Sequence, residues 1–214
     1  MARKALAALT VAACGAVTLW LVWTLYVPHH RPPLGANEVF GVDVSNHQGD
    51  IDWQAVAGDG IDFAYIKATE GGDFVDVYFD ANWDAARAAG IHGGAYHFFT
   101  FCTPGAAQAS NVLATVPLEE MDLPLALDLE FGGNCSTRPS QEWMEREVAI
   151  FIDIVESATS EPLMLYISEK FENAYGLKAP LDRELWERRL WRRPHEDNWT
   201  FWQFSYRSAV DGIE

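Results

Sequence analysis

The sequence predicts an α/β fold: a parallel sheet curled into a β/α barrel, with a transmembrane helix ahead of it. Three features carry this reading. From position 39 onward short apolar strands alternate with amphipathic helical stretches, which implies parallel strands joined by helical crossovers. Several strands end in polar or aromatic side chains on one face, and in such folds the carboxyl ends of strands line the cleft. The chain also begins with an uncharged run, Ala5 to Val27, and a bilayer span takes about 20 apolar residues.

The N-terminal element comes first. Arg3 and Lys4 precede the apolar run, and Trp20, Trp23 and Tyr26 lie toward its far end, where amphipathic rings favour the membrane interface. The run ends in bulky Leu25-Tyr26-Val27, without the small-residue site of a cleaved signal peptide. Val11-Ala12-Ala13-Cys14 weakly resembles a lipoprotein box, but the apolar stretch continues past Cys14. An uncleaved single-pass anchor in the inner or plasma membrane through residues 5–27 is therefore expected, with the following domain periplasmic or extracellular. His29 to Pro33 read as a short stiff linker, which divides the chain into an anchor segment, 1–34, and one globular domain, 35–214.

Composition supports that division. A chain of 214 residues, 49% hydrophobic with nine Trp, buries one substantial core. The formal net charge is −16, and no acidic residue precedes Glu38, so the domain itself is strongly acidic. Nucleic acid is excluded as the main partner, since it demands a basic surface.

Strands are expected at Phe40–Val44, Phe63–Lys67, Gly94–Phe99, Leu125–Glu130, Leu163–Ser168 and Thr200–Phe204. Between the first two, Asp52 caps a short helix through Trp53 and Val56 that closes at Gly58. Phe79, Trp83 and Ala86 recur at helical spacing before Gly90, a helix stop. Thr103-Pro104 opens a helix through Gln108 to Leu113. Ser140 caps the longest, whose stripe is Met144, Val148, Phe151, Ile152 and Val155. The Lys/Arg-rich stretch Arg183 to Arg193 reads as a solvated helix face, the alternative being a patch that attracts an anionic polymer. Cys102 and Cys135 fall in loops beyond strands and pair in an oxidising compartment, the alternative being two free buried thiols. Cys14 is inert in the apolar run.

The strand ends argue for closure. They carry Asp43 with Ser45, Tyr65 with Lys67, Tyr96 with Phe98, and Asp128 with Glu130; Tyr166 and Gln203 join them. Polar groups from so many strands converge only if the sheet curls. No glycine-rich phosphate loop follows Gly41-Val42-Asp43-Val44-Ser45, as an open doubly wound fold would favour.

Pro124-Leu125-Ala126-Leu127-Asp128-Leu129-Glu130 carries the chemistry. Strand alternation puts Leu125, Leu127 and Leu129 on one face and Ala126, Asp128 and Glu130 on the other, with the two acids about 7 Å apart at the backbone. Like charges held close raise one pKa and keep a proton ready for donation. Glycosidic cleavage needs such a proton, and negative charge near an oxocarbenium centre.

Asp43-Val44-Ser45-Asn46-His47-Gln48-Gly49 with Ile51-Asp52-Trp53, then Tyr65-Ile66-Lys67-Ala68-Thr69-Glu70-Gly71, Gly94-Ala95-Tyr96-His97-Phe98-Phe99, Ala126-Leu127-Asp128-Leu129-Glu130 and Phe201-Trp202-Gln203-Phe204 together resemble glycoside hydrolase family 25, the Chalaropsis-type lysozymes. The motifs are collinear over roughly residues 39 to 212. The resemblance implies a modified TIM-like β/α barrel, without cofactor or metal, that cleaves the β-1,4 bond between N-acetylmuramic acid and N-acetylglucosamine in peptidoglycan glycan strands. It implies Glu130 as general acid and base with Asp128 assisting; Asp43 is expected as a third cleft acid, the alternative being a helix-capping or turn carboxylate after the first strand. It also suggests net retention, with the substrate's N-acetyl oxygen as nucleophile and Asp128 orienting it.

Around that set, Tyr65, Tyr96, Tyr166, Trp202 and Gln203 are candidates for substrate binding, the aromatics because sugars present apolar faces to rings; each aromatic is equally an ordinary core residue. His47 either hydrogen-bonds Asp43, contacts sugar or is satisfied in its loop. Lys67 and Glu70 are expected to pair, and His97 to pack between strand and helix. The family usually continues past a segment like Val210-Asp211-Gly212-Ile213 into a strand bearing another cleft aspartate. Here either Asp211 substitutes, or the barrel closes imperfectly. A second function class follows: a membrane-anchored wall-binding or scaffold protein with a degenerate, shortened barrel. A third, metal-dependent carbohydrate chemistry through Asp43, His47, Asp128 and Glu130, is a poor transition-metal set with one histidine.

Overall fold

The computed structural model describes residues 2–190, 192–194 and 199–213. Helix α1 (Ala2–Leu21) runs on through a π turn, Val22–Tyr26, and a 3-10 turn, Val27–His29. From Thr10 to His29 it is apolar and unburied, with the length and composition of a membrane span; a signal sequence shares these properties. Its end is docked rather than loose. The Ala209 N–H donates to the Pro28 carbonyl at 2.8 Å, Arg207 lies 5.0 Å from the Trp23 ring centre, and Arg31 pairs with Asp59.

The sheet comprises β1 (Phe40–Val44), β2 (Ile61–Glu70), β3 (Phe74–Val75), β4 (His92–Phe98), β5 (Ala126–Leu129), β6 (Met164–Ile167), β7 (Leu185–Arg188) and β8 (Trp199–Gln203). Seven of the eight run parallel in the order β1-β2-β4-β5-β6-β7-β8, and β3 forms an antiparallel hairpin with β2. Five helices cover the outer face or follow the strands: α2 (Trp53–Gly58), α3 (Phe79–Ala88), α4 (Gly105–Thr115), α5 (Gln141–Thr159) and α6 (Glu169–Tyr175); the short α7 (Lys178–Leu181) precedes β7.

Local chemistry sets the helix ends. The Asp52 carboxylate accepts from the N–H groups of Gln54 and Ala55, both at 3.1 Å, and opens α2. Ser140 accepts from the Trp143 N–H to open α5, whose stripe Met144, Val148, Phe151, Ile152 and Val155 is buried. Gly90, at φ +81°, takes the left-handed conformation that ends the α3 turn.

Alternation divides the core in two. Leu125, Leu127 and Leu129 pack outward with Val148, Phe151 and their neighbours. Tyr65, Ala126 and Met164 point into the curl, where Phe63, Trp186 and Phe201 close over them. The Tyr65 ring lies 5.0 Å from Trp186 and 5.3 Å from Phe201, which makes a solid aromatic floor.

Two expectations are corrected. The sheet curls but does not close: among the described residues no backbone ladder joins β8 to β1. Bulk explains it, because Phe40 and Phe204 meet edge to face at 6.1 Å across the gap, and a cavity of about 220 Å³ separates the two strands. The stretch Arg183 to Arg193 is not a helix face. It contains β7, with Arg188 turned inward and Glu187 outward to pair with Lys178; Trp191 lies outside the described residues. Dense charge hid the period-two pattern.

Candidate active site

The carboxyl ends of the strands surround a cleft of about 250 Å³. Its acids come from the expected elements: Asp43 from β1, Asp128 from β5 and Glu130 just beyond it. Register places Asp128 beside Phe98 on one side and Tyr166 on the other. Tyr96, Tyr166 and Gln203 also line the cleft.

A hydrogen-bonded path crosses the gap between β8 and β1. The Tyr166 hydroxyl donates to Gln203 Oε1 at 3.1 Å, and Gln203 Nε2 donates to Asp43 Oδ2 at 3.0 Å. One glutamine thus orients Asp43 and binds the two unladdered strands together.

The three acids are electrostatically linked. Loss of water pushes the Asp128 pKa well above the ordinary carboxylate range, and the charges of Glu130 and Asp43 push it further. Its buried Oδ1 has no hydrogen-bond partner. Glu130 is raised by the same desolvation and by Asp43, while Arg188, 3.9 Å away, and Lys67 draw it back. Asp43 opens to solvent at the mouth, yet crowding by protein raises it, against the Gln203 hydrogen bond. Such an arrangement holds protons on carboxyl groups where isolated ones would be ionised. Burial also raises the Tyr96 and Tyr166 phenols, which remain donors.

Two sequence candidates do not join the cleft. Tyr65 is fully buried in the floor, with its hydroxyl donating to the Pro124 carbonyl at 3.1 Å. Trp202 lies on the opposite face of β8 from Gln203, where its indole N–H donates to the Arg189 carbonyl at 2.7 Å. The alternation that brings Gln203 inward turns Trp202 out.

The remaining residues are placed as follows. The His47 side chain is exposed outside the cleft, and no hydrogen bond links it to Asp43. Lys67 pairs with Glu70 at 2.7 Å and lies 5.1 Å from the Phe98 ring centre. His97 is buried between Thr69 and Gln108, stacked on Phe151 at 4.9 Å, and its pKa is lowered to about 4 by desolvation. Asp211 donates its N–H to Asp59 and does not line the cleft.

Sequence reasoning missed Trp186, Arg188 and Tyr206, all of which line the cleft. The alternation Leu185, Glu187 against Trp186, Arg188 was the signal available for the first two. It also missed Asn134. This side chain donates to the Phe99 and Glu130 carbonyls and accepts from the Phe101 N–H, tying the loops after β4 and β5. Beside it Cys102 and Cys135 are joined by a disulfide. Among the described residues no three His, Cys, Asp or Glu side chains form a metal-binding group.

Comparison with known proteins agrees with this architecture. The family model for glycosyl hydrolases family 25 matches residues 42–213. Uncharacterized protein YegX of Escherichia coli (strain K12) is 36% identical over 183 residues, and Lysozyme M1 of Streptomyces globisporus 32% over 199; the matches cover 82% and 85% of this chain. The matched part spans 66% of the length of each of these relatives. Among solved structures, a family 25 glycosyl hydrolase from Bacillus anthracis superposes with a TM-score of 0.75 at 34% identity, covering 86% of this chain and 90% of the other. A GH25 lysozyme from Aspergillus fumigatus gives 0.72 at 29% identity, covering 81% and 91%.

Proposed function

The chain belongs to glycosyl hydrolase family 25, and on that premise we propose that it is a muramidase cleaving the β-1,4 bond between N-acetylmuramic acid and N-acetylglucosamine. The observation that carries this reading is the carboxyl pair, Asp128 and Glu130, opening with Asp43 into one cleft of about 250 Å³. Glu130 is the more exposed of the pair and reaches the leaving oxygen. It donates its proton there and then takes one from the incoming water. Asp128, deeper and without a partner for Oδ1, meets the acetamido group and orients its oxygen toward the anomeric carbon. The Tyr166–Gln203–Asp43 path fixes the third acid. Tyr96 and Tyr166 supply hydroxyls and ring edges to the sugar.

The test is digestion of purified peptidoglycan by residues 35–214 beside the Glu130→Gln variant, with mass analysis of released fragments. Fragments ending in reducing muramic acid are expected from the wild type, with kcat down roughly 10²–10⁴-fold in the variant. Absence of release from both, with binding retained, is the outcome that favours the scaffold reading. Retained anomeric configuration, followed by NMR, is expected; an inverted product removes the acetamido route. We further propose that residues 5–27 stay in the membrane as an anchor with the domain outside. Membrane fractionation of the full chain tests this, and a soluble protein starting near residue 30 would sink it.

A further inference from the structure

The cleft does not end at Glu130. Beyond it, over the carboxyl ends of β5, β6 and β7, a groove of about 930 Å³ shares Glu130 and Arg188 with the cleft. Lys170, at the start of α6, and Arg189, just after β7, stand exposed along it. Among the described residues neither makes an ion pair, although elsewhere Arg31, Arg87, Arg183 and Arg193 are each matched to a carboxylate. In a chain with 31 acidic and 15 basic residues, Lys170 and Arg189 join Arg138, Arg192 and Arg207 as described cations without an ion pair, and of these five only Lys170 and Arg189 line the groove. The acids on the same walls are mostly engaged: Glu187 by Lys178, and Glu172 by the N–H groups of Leu177 and Lys178. Among the described acids of that lining, Glu169 alone has no matched partner.

We infer that this groove receives the peptide attached to the muramoyl unit, with Arg189 and Lys170 binding its carboxylates and Arg188 marking the junction with the sugar cleft. The inference rests on the muramidase reading. The sugar whose bond is cut is the one that carries the 3-O-lactyl substituent, so whatever is attached there leaves the cleft within a few ångströms of Glu130. The groove is far larger than a single ion needs. The rest of the acidic surface repels an anionic peptide, so unpaired cations here select the direction in which it lies.

The shared chemistry is a carboxylate on the 3-O substituent, and its source is either the peptide or the bare lactyl group. Steady-state hydrolysis distinguishes them, using peptide-bearing glycan chains, the same chains stripped of peptide, and peptide-bearing chains with amidated carboxylates. For the Lys170→Ala/Arg189→Ala variant we expect KM on peptide-bearing chains to rise roughly tenfold with kcat held, since a charge-assisted contact is worth about 1.4 kcal/mol or more. KM on stripped or amidated chains stays at the wild-type value. Raising ionic strength should weaken wild-type binding of the peptide-bearing chains and leave the variant flat. An unchanged KM on peptide-bearing chains overturns the inference, as does an equal rise on stripped chains. Failure of the wild type to cut any of the three overturns the muramidase reading instead.

Discussion

Asp128 is the residue under greatest tension. A carboxylate with one oxygen buried and unpartnered is more stable protonated, so its folded pKa lies above its unfolded one. The folded state then holds the extra proton. Its contribution to stability is present at low pH and declines as pH rises through the folded pKa. Asp128→Asn is expected to abolish turnover yet stabilise the fold by roughly 1–3 kcal/mol, with the gain growing from pH 5 to pH 8; thermal unfolding across that range measures it. Arg188 has the opposite influence. It lowers the Glu130 pKa, so Arg188→Gln should move the basic limb of the kcat/KM profile to higher pH. A limb that stays put, or moves down, would show that Arg188 does not act on the proton donor.

Between residues and fold stand the loops that hold the acids. Asn134 and the Cys102–Cys135 bridge tie the ends of β4 and β5 next to Glu130. A cross-link over a separation of 33 residues contributes about 2–4 kcal/mol. Replacing both cysteines by serine should cost that much, read by calorimetry. Helix contact is just as unforgiving: a Cβ on Gly105 would sit 1.9 Å from the Glu147 carbonyl oxygen. Gly105→Ala should therefore part α4 from α5 at a cost of roughly 1–3 kcal/mol, measured by denaturant unfolding. Six strands and the helices α2, α3, α4 and α5 were legible from period and capping, because Asp52, Gly90 and Ser140 mark ends chemically, whereas the seven-residue α6 was not. β7 was not, since arginine and glutamate occupied both of its faces. Among the site residues, Asp43, Asp128, Tyr96 and Tyr166 followed from alternation, whereas Tyr65 points into the same curl but too deep. Depth along a strand has no periodic signature.

At the scale of the molecule, the curled sheet has two ends where a closed ring has none. Among the described residues β5 and β6 are each laddered on both sides, while β1 and β8 have one backbone neighbour apiece. Amide exchange should accordingly be slowest at Leu127 and Leu165 and faster along Phe40–Val44 and Trp199–Gln203. The cleft is thus assembled from unequal materials. Asp128 rides on a strand clasped on both sides, with Glu130 just beyond its end, and Asp43 faces Gln203 across edges joined by side chains alone, the Gln203 amide and the Phe40–Phe204 contact among them. Whatever widens that mouth to admit or shed a polymer also draws the Asp43 charge away from the two acids, and so loosens the hold on the protons they carry.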